Sequence, residues 1–149
     1  MDRLTALAQA EGLRHRAQVE ILFVCVHNSG RSQIAAALAR TFGGAAVRVR
    51  TAGSTPAPRI NHRVAEALRR RDLPLLREFP KPLTDEIVRA SDVIVTMGCG
   101  DACPILPGRQ YLDWDVPDPA SLSDPEIDEI IDHLEQRVRD LLRTLVTPS

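Results

Sequence analysis

Residues 25–32 read CVHNSGRS, between the apolar run Ile21-Leu22-Phe23-Val24 and a second apolar-rich run from Gln33 to Ala39. A short run without polar residues is the pattern of a strand buried on both faces of a parallel sheet. The Ala- and Leu-rich run favours a helix, expected over 32–41. The stretch between them must turn the chain sharply from strand to helix, and Ser29-Gly30 permits that. Such a turn points several N–H groups inward as a nest. The helix start adds the positive end of its dipole. Arg31 adds a planar, permanently charged fork that matches two oxygens of a tetrahedral oxyanion. Cys25 then lies at the floor of a positive cradle, which favours its thiolate. Ser32 is placed to donate a hydrogen bond to that sulfur, and Asn28 to brace the loop. We therefore expect Cys25 to be a nucleophile. Val26, His27, Asn28, Ser29, Gly30, Arg31 and Ser32 are the expected oxyanion-binding residues. A bare Cys-x5-Arg occurs by chance, and cysteine is often just a small buried hydrophobe. The flanking strand, glycine and helix favour the chemical reading. A lone loop histidine such as His27 is more often solvated than catalytic.

Outward from this turn the chain alternates strands and helices. Gly43-Gly44 should stop the first helix. Residues 47–51 alternate as Val-Arg-Val-Arg-Thr, a strand with one wet face. Asn61 can cap a helix over 62–71 that buries Val64, Ala67 and Leu68, and Thr84 can cap another over 85–90. DVIVTM, residues 92–97, reads as a second buried strand, and 109–112 as a weaker one. Asp124 can cap the last helix, with Pro125 at its first position. Ile127, Ile130, Ile131, Leu134, Val138, Leu141, Leu142 and Leu145 form its apolar stripe. The order β-α-β-α-α-β-β-α predicts an α/β three-layer sandwich around a mostly parallel four-stranded sheet. Ligands of such sheets bind where strand C-termini meet helix N-termini, and CVHNSGRS is one such junction. Residues 1–19 read as a weakly amphipathic N-terminal extension to a domain of residues 20–149.

The composition fits one globular domain: 149 residues, 44 % hydrophobic and 26 % charged. A net charge of −1 gives no electrostatic footprint for nucleic acid or an anionic membrane. No apolar run has the length of a membrane span, and the N-terminal segment lacks the core of a signal peptide. A reducing, cytoplasmic location follows as the default. The 3 cysteines then read as thiols and not as a disulfide framework. Zinc is disfavoured, because there are too few cysteines and no histidine pair at ligand spacing. No metal is expected.

Two further stretches carry chemistry. DWDVPDP, residues 113–119, offers Asp113, Asp115 and Asp118 near the end of the weak strand. Pro117 and Pro119 restrict the backbone around Asp118, which suits a group that must be aimed. For Asp113 and Asp115 a solvated turn is the better reading. MGCGDACP, residues 97–104, follows the second buried strand. Cys99 and Cys103 are four apart, a spacing that one helical turn places on one face. Gly98 and Gly100 give that segment freedom to move.

The cradle and the element order resemble the low-molecular-weight tyrosine phosphatase fold over about residues 20–146, and within it the arsenate reductases. Those carry Cys-x-x-Asn-x-x-Arg-Ser-Gln, matched by Cys25, Asn28, Arg31, Ser32 and Gln33, where the phosphatases usually have proline at the position of Gln33. The resemblance implies that Cys25 attacks arsenic and that Asp118, in an Asp-Pro pair, protonates the departing oxygen. It also implies that Cys99 and Cys103 carry the disulfide outward, in an order left open. The segment Met-Gly-Cys-Gly-Asp-x-Cys-Pro is similar to actinobacterial members. The donor implied is an external thiol reductant, thioredoxin or mycothiol with mycoredoxin, and no bound cofactor is implied. Many members have a glutamate in the first helix at a potassium site; Ala35-Ala36-Ala37 stands there, so no such site is expected. Ala120-Ser121-Leu122 follows Asp118-Pro119 where phosphatases place tyrosine, which argues against phosphotyrosine as substrate. The resemblance leads us to expect an arsenate reductase, acting as a monomer with a dimer as the alternative. A phosphatase of phosphomonoesters and a non-catalytic oxyanion-binding regulatory module are the competing readings.

Overall fold

The computed structural model describes residues 18–73, 75, 78–98 and 103–146. Strand β1, Val19–Cys25, lies in the middle of the sheet. It is flanked by β2, Val47–Gly53, and β3, Val93–Met97, with β4, Gln110–Asp113, outside β3. All three pairings are parallel. The strand begins at Val19, inside the expected extension, because Val19 already pairs with Val47. The rest of that extension, residues 1–17, lies outside the described residues.

The apolar run of β1 is explained by burial on both faces. Ile21, Phe23 and Cys25 join one core, and Leu22 and Val24 the other. Helices α1 (Arg31–Gly43), α2 (His62–Arg70) and α4 (Asp124–Val146) contribute to the first core. The short α3, Asp85–Arg89, covers the second through Val88, with Cys103 beside it. This is the expected three-layer sandwich. Every residue of α1 from Arg31 to Ala39 is buried, and from Ile34 to Ala39 its sequence is apolar all round and not striped. Its run of alanines lets the helix lie close against both sheet and α4. By contrast α4 is striped: Ile127, Ile131, Leu134 and Val138 are fully buried and Leu145 packs at the edge. Burying each large aliphatic side chain contributes roughly 1.5–3 kcal/mol.

The helix ends follow local chemistry. Gly44, at φ +53°, stops α1 as expected. The Asn61 side chain accepts from the N–H groups of Arg63 and Val64, and the Thr84 hydroxyl from that of Ile87. The last helix differs from expectation by one residue: Ser123, not Asp124, caps it. Ser123 N–H donates to Glu126 Oε1 at 2.9 Å, and Glu126 N–H donates to Ser123 Oγ at 3.4 Å. A serine with a glutamate three residues on satisfies two orphan donors reciprocally, which a lone aspartate at 124 cannot do.

Candidate active site

Cys25 ends β1 opposite Gly53 of β2 and Met97 of β3, so its sulfur stands at the centre of the C-terminal edge of the sheet. The turn that follows is held by its carbonyls. Those of Cys25, Val26, His27 and Ser29 accept from the N–H groups of Ser54, Thr55, Ala57 and Asn61. The carbonyl of Asn28 accepts from Gln33 Nε2 and that of Gly30 from Ile34 N–H. With every carbonyl from residue 25 to residue 30 tied, the inward face of the turn is left to N–H groups, which is what an anion requires. Gly53 allows the approach: a Cβ there would fall 2.8 Å from the Val26 carbonyl oxygen.

The turn's positive-φ residue is Asn28 at +53°, not Ser29 or Gly30. Asparagine tolerates the left-handed region, and here its side chain over-determines it. Asn28 is fully buried. Its Oδ1 accepts from Lys81 N–H at 2.8 Å and from the Thr51 hydroxyl at 3.3 Å. Its Nδ2 donates to Ser32 Oγ at 2.6 Å. Ser32 Oγ in turn lies 3.0 Å from Cys25 Sγ. An oxygen already accepting from an amide has its own proton free, and the sulfur is where that proton can go.

Arg31 is buried. Its Nη1 donates to the Val116 carbonyl at 3.3 Å, and its Nη2 lies 3.8 Å from Asp118 Oδ2. The other oxygen of Asp118 accepts from Ala120 N–H at 3.0 Å, which aims the carboxylate. Pro119 packs against Gly30, where a Cβ would come within 2.6 Å of its ring. On the far side, Gly98 at φ +89° lies against the guanidinium: a Cβ there would sit 2.6 Å from Arg31 Nη1. This glycine is needed for clearance and for its backbone conformation, beyond any role in mobility.

Cys25, Asn28, Arg31, Ser32 and Asp118 therefore converge. Val26, His27, Ser29 and Gly30 line the turn between them. His27 is exposed, with Nδ1 against the Thr55 carbonyl at 3.1 Å, in keeping with a solvated loop residue. Asp113 accepts from the Thr96 hydroxyl at 2.8 Å, and Asp115 lines a separate hollow with Pro117, Leu122 and Ile130. Cys103 is buried among Leu22, Val24, Ala52, Val88 and Ile94, on the face of the sheet opposite to that of Cys25. Cys99, and with it the expected helical turn joining the two cysteines, lies outside the described residues. The sequence reading missed Thr51, Glu78 and Lys81. They carry no motif and reach the site only through the fold. Among the described residues no cluster of His, Cys, Asp and Glu is arranged to hold a metal ion, and no helix is long and apolar enough to cross a membrane.

The family described as low molecular weight phosphotyrosine protein phosphatase matches residues 20–148, and the chain belongs to it. Within that family the chain is 32 % identical to arsenate reductase 1 of Staphylococcus haemolyticus, over 85 % of this chain and 96 % of that one. Among solved structures it is similar to a thioredoxin-dependent arsenate reductase of Corynebacterium glutamicum. The identity is 48 %, the TM-score 0.80, and the match spans 97 % of this chain and 70 % of the other. A low molecular weight protein tyrosine phosphatase of Bacillus subtilis superimposes with TM-score 0.71 at 27 % identity, over 85 % of this chain and 97 % of the other.

Proposed function

We infer that this protein is an arsenate reductase. The thiolate of Cys25 attacks arsenic while Arg31 and the amides from Val26 to Ser32 hold the remaining oxygens. A sulfur–arsenic bond forms, an arsenic–oxygen bond breaks, and Asp118 protonates the oxygen so that it leaves as water. A second thiolate then attacks Cys25 Sγ. The sulfur–sulfur bond forms, the sulfur–arsenic pair stays on arsenic, and arsenite departs with arsenic reduced by two electrons. A third thiol attacks the second and frees Cys25, leaving the disulfide between Cys99 and Cys103. Cys103 lies behind the sheet, so we assign the first attack to Cys99 and the second to Cys103. Reduction of that disulfide falls to an external thiol. Thioredoxin is the favoured donor, supported by the Corynebacterium relative, with mycothiol and mycoredoxin as the alternative. We place the protein in the cytoplasm, as a monomer in which an N-terminal extension ending before Val19 precedes the catalytic domain.

The observation that carries this reading is the contact between Gly98 and Arg31. The segment bearing the second and third cysteines leaves β3 directly across the oxyanion-binding guanidinium. A hydrolase needs the cradle and the acid but has no use for two further thiols in the sequence that follows β3. The test compares arsenite formation from arsenate, with thioredoxin and its reductase or with mycothiol and mycoredoxin, against hydrolysis of an aryl phosphate. Arsenite formation sustained by one donor is expected. Phosphate release without any arsenite would move the protein to the phosphatases of its fold.

A further inference from the structure

Behind the cradle stands a partly buried ion cluster. Glu78 Oε2 accepts from Arg40 Nη2 of α1 at 2.6 Å, and Glu78 Oε1 from Lys81 Nζ at 2.7 Å. Arg40 also donates to the Val49 carbonyl, and Lys81 to that of Phe79. The side chains of Glu78, Arg40 and Lys81 are 14, 20 and 26 % exposed, so the cluster is screened from water far better than a surface pair. Ion clusters of this kind are common braces. What distinguishes this one is its two links to the nucleophile. The Thr51 hydroxyl lies 3.3 Å from Glu78 Oε1 and 3.3 Å from Asn28 Oδ1. The main chain of Lys81 donates to the same Asn28 oxygen, while its carbonyl accepts from Gly53 N–H at 2.8 Å.

We propose that Glu78 is a positioning residue for the nucleophile, acting through Thr51 and Lys81 on the Asn28 amide and thence through Ser32 on Cys25. Thr51 has one hydroxyl proton and two acceptors within reach. Arg40 and Lys81 already satisfy much of the Glu78 carboxylate, which leaves the proton available to Asn28. The same two ion pairs fix residues 78–81, and so fix the Lys81 N–H that holds Asn28 Oδ1. An amide oxygen held by two donors presents its nitrogen to Ser32. Ser32 must then accept from Asn28 and donate to the sulfur. Without Glu78 the strap loosens, Asn28 can rotate, and Ser32 is no longer obliged to donate to sulfur. The chain's single lysine contributes through both its ammonium and its main chain.

The inference presumes the nucleophilic role of Cys25 but not arsenate as the substrate, and its test needs no arsenate. Iodoacetamide alkylation of Cys25 is followed by peptide mass spectrometry across a pH series in wild type, Glu78→Gln, Asn28→Ala and the double variant. Glu78→Gln is expected to slow Cys25 alkylation about tenfold near pH 6 and to delay its rise with pH. The double variant is expected to be no slower than Asn28→Ala alone, because both act on one path. Wild-type alkylation at every pH in Glu78→Gln, with only a lowered Tm, would show a mere brace and overturn the proposal, as would full additivity in the double variant. Should Glu78→Gln not fold, Lys81→Met removes one cation and keeps the main-chain N–H. Slower Cys25 alkylation is expected there too, and a wild-type rate overturns the proposal.

Discussion

Ser32 Oγ lies 3.0 Å from Cys25 Sγ while accepting the Asn28 amide at 2.6 Å. The serine proton is thereby directed at the sulfur. A hydrogen bond to a charged group contributes about 1.5–3 kcal/mol. Ser32→Ala is therefore expected to lower kcat for arsenite formation roughly 10- to 100-fold. Arsenate binding should change little, because Arg31 and the loop amides remain. Steady-state kinetics check this, and a large rise in KM with unchanged kcat would contradict it.

Arg31 presents a fork, and a lysine presents a point charge. Arg31→Lys keeps the charge and loses the paired geometry, so its effect should fall on oxyanion affinity. A loss of about 2 kcal/mol, or roughly 30-fold in Kd, is expected. Protection of Cys25 from alkylation by added phosphate reads this affinity directly, and unaltered protection would remove Arg31 from the oxyanion site.

Gly98 is where the cysteine-bearing segment meets that guanidinium. A methyl group placed 2.6 Å from Arg31 Nη1, on a residue at φ +89°, forces the guanidinium or the segment to move. Gly98→Ala should cost about 1–3 kcal/mol in backbone strain. It should lower kcat/KM for arsenate by more than that strain lowers folding stability. Parallel denaturation and kinetic measurements separate the two, and a stable variant with wild-type kcat/KM would show that the contact is idle.

Asp118 is aimed by Ala120 N–H and lies beside Arg31, but it makes no bond to Cys25 in this arrangement. Asp118→Asn should lower arsenate turnover about 100-fold, the usual scale of a lost general acid. Cys25 alkylation should stay near wild type, since iodoacetamide needs no proton on its leaving group. Equal losses in both assays would assign Asp118 to the ionisation of the thiol and not to the departing oxygen.

The cap of α4 gives a pH prediction for stability. The Ser123 N–H, and then its hydroxyl, hold the Glu126 carboxyl below its ordinary value of 4.5. Between the folded and unfolded values the unfolded chain binds more protons, so stability rises with pH there. The contribution is complete above 4.5 and is lost as pH falls through the lower folded value. Urea denaturation of wild type and Glu126→Gln should therefore differ at neutral pH and converge in acid. A gap that widens in acid would show another origin.

Much of this architecture is readable from sequence because burial left period and composition signals. The apolar run of β1 and the stripe of α4 each named their element, and Asn61 and Thr84 capped the helices they precede. The cradle was legible because strand, glycine, arginine and helix fall within a dozen residues. The rest came from tertiary contact. Lys81 reaches Asn28 through a main-chain N–H across 53 residues, and a main-chain donor leaves no trace in residue identity. Gly98 read as flexibility, whereas its neighbour in space is Arg31. Ser123 and Asp124 are equally good caps by type, and only the return bond from Glu126 decides between them. For Cys103, sequence spacing pointed to a shared helix face with Cys99 but gave no information on which side of the sheet would bury it.

The central claim is that Cys25 takes arsenic and that the chain's own thiols supply the electrons. The most direct measurement is a single turnover of fully reduced protein with arsenate and no external reductant, quenched with an alkylating reagent and mapped by mass spectrometry. One equivalent of arsenite is expected, together with an internal disulfide, and neither in Cys25→Ser. Recovery of all 3 thiols alkylated, with no arsenite formed, would contradict the account.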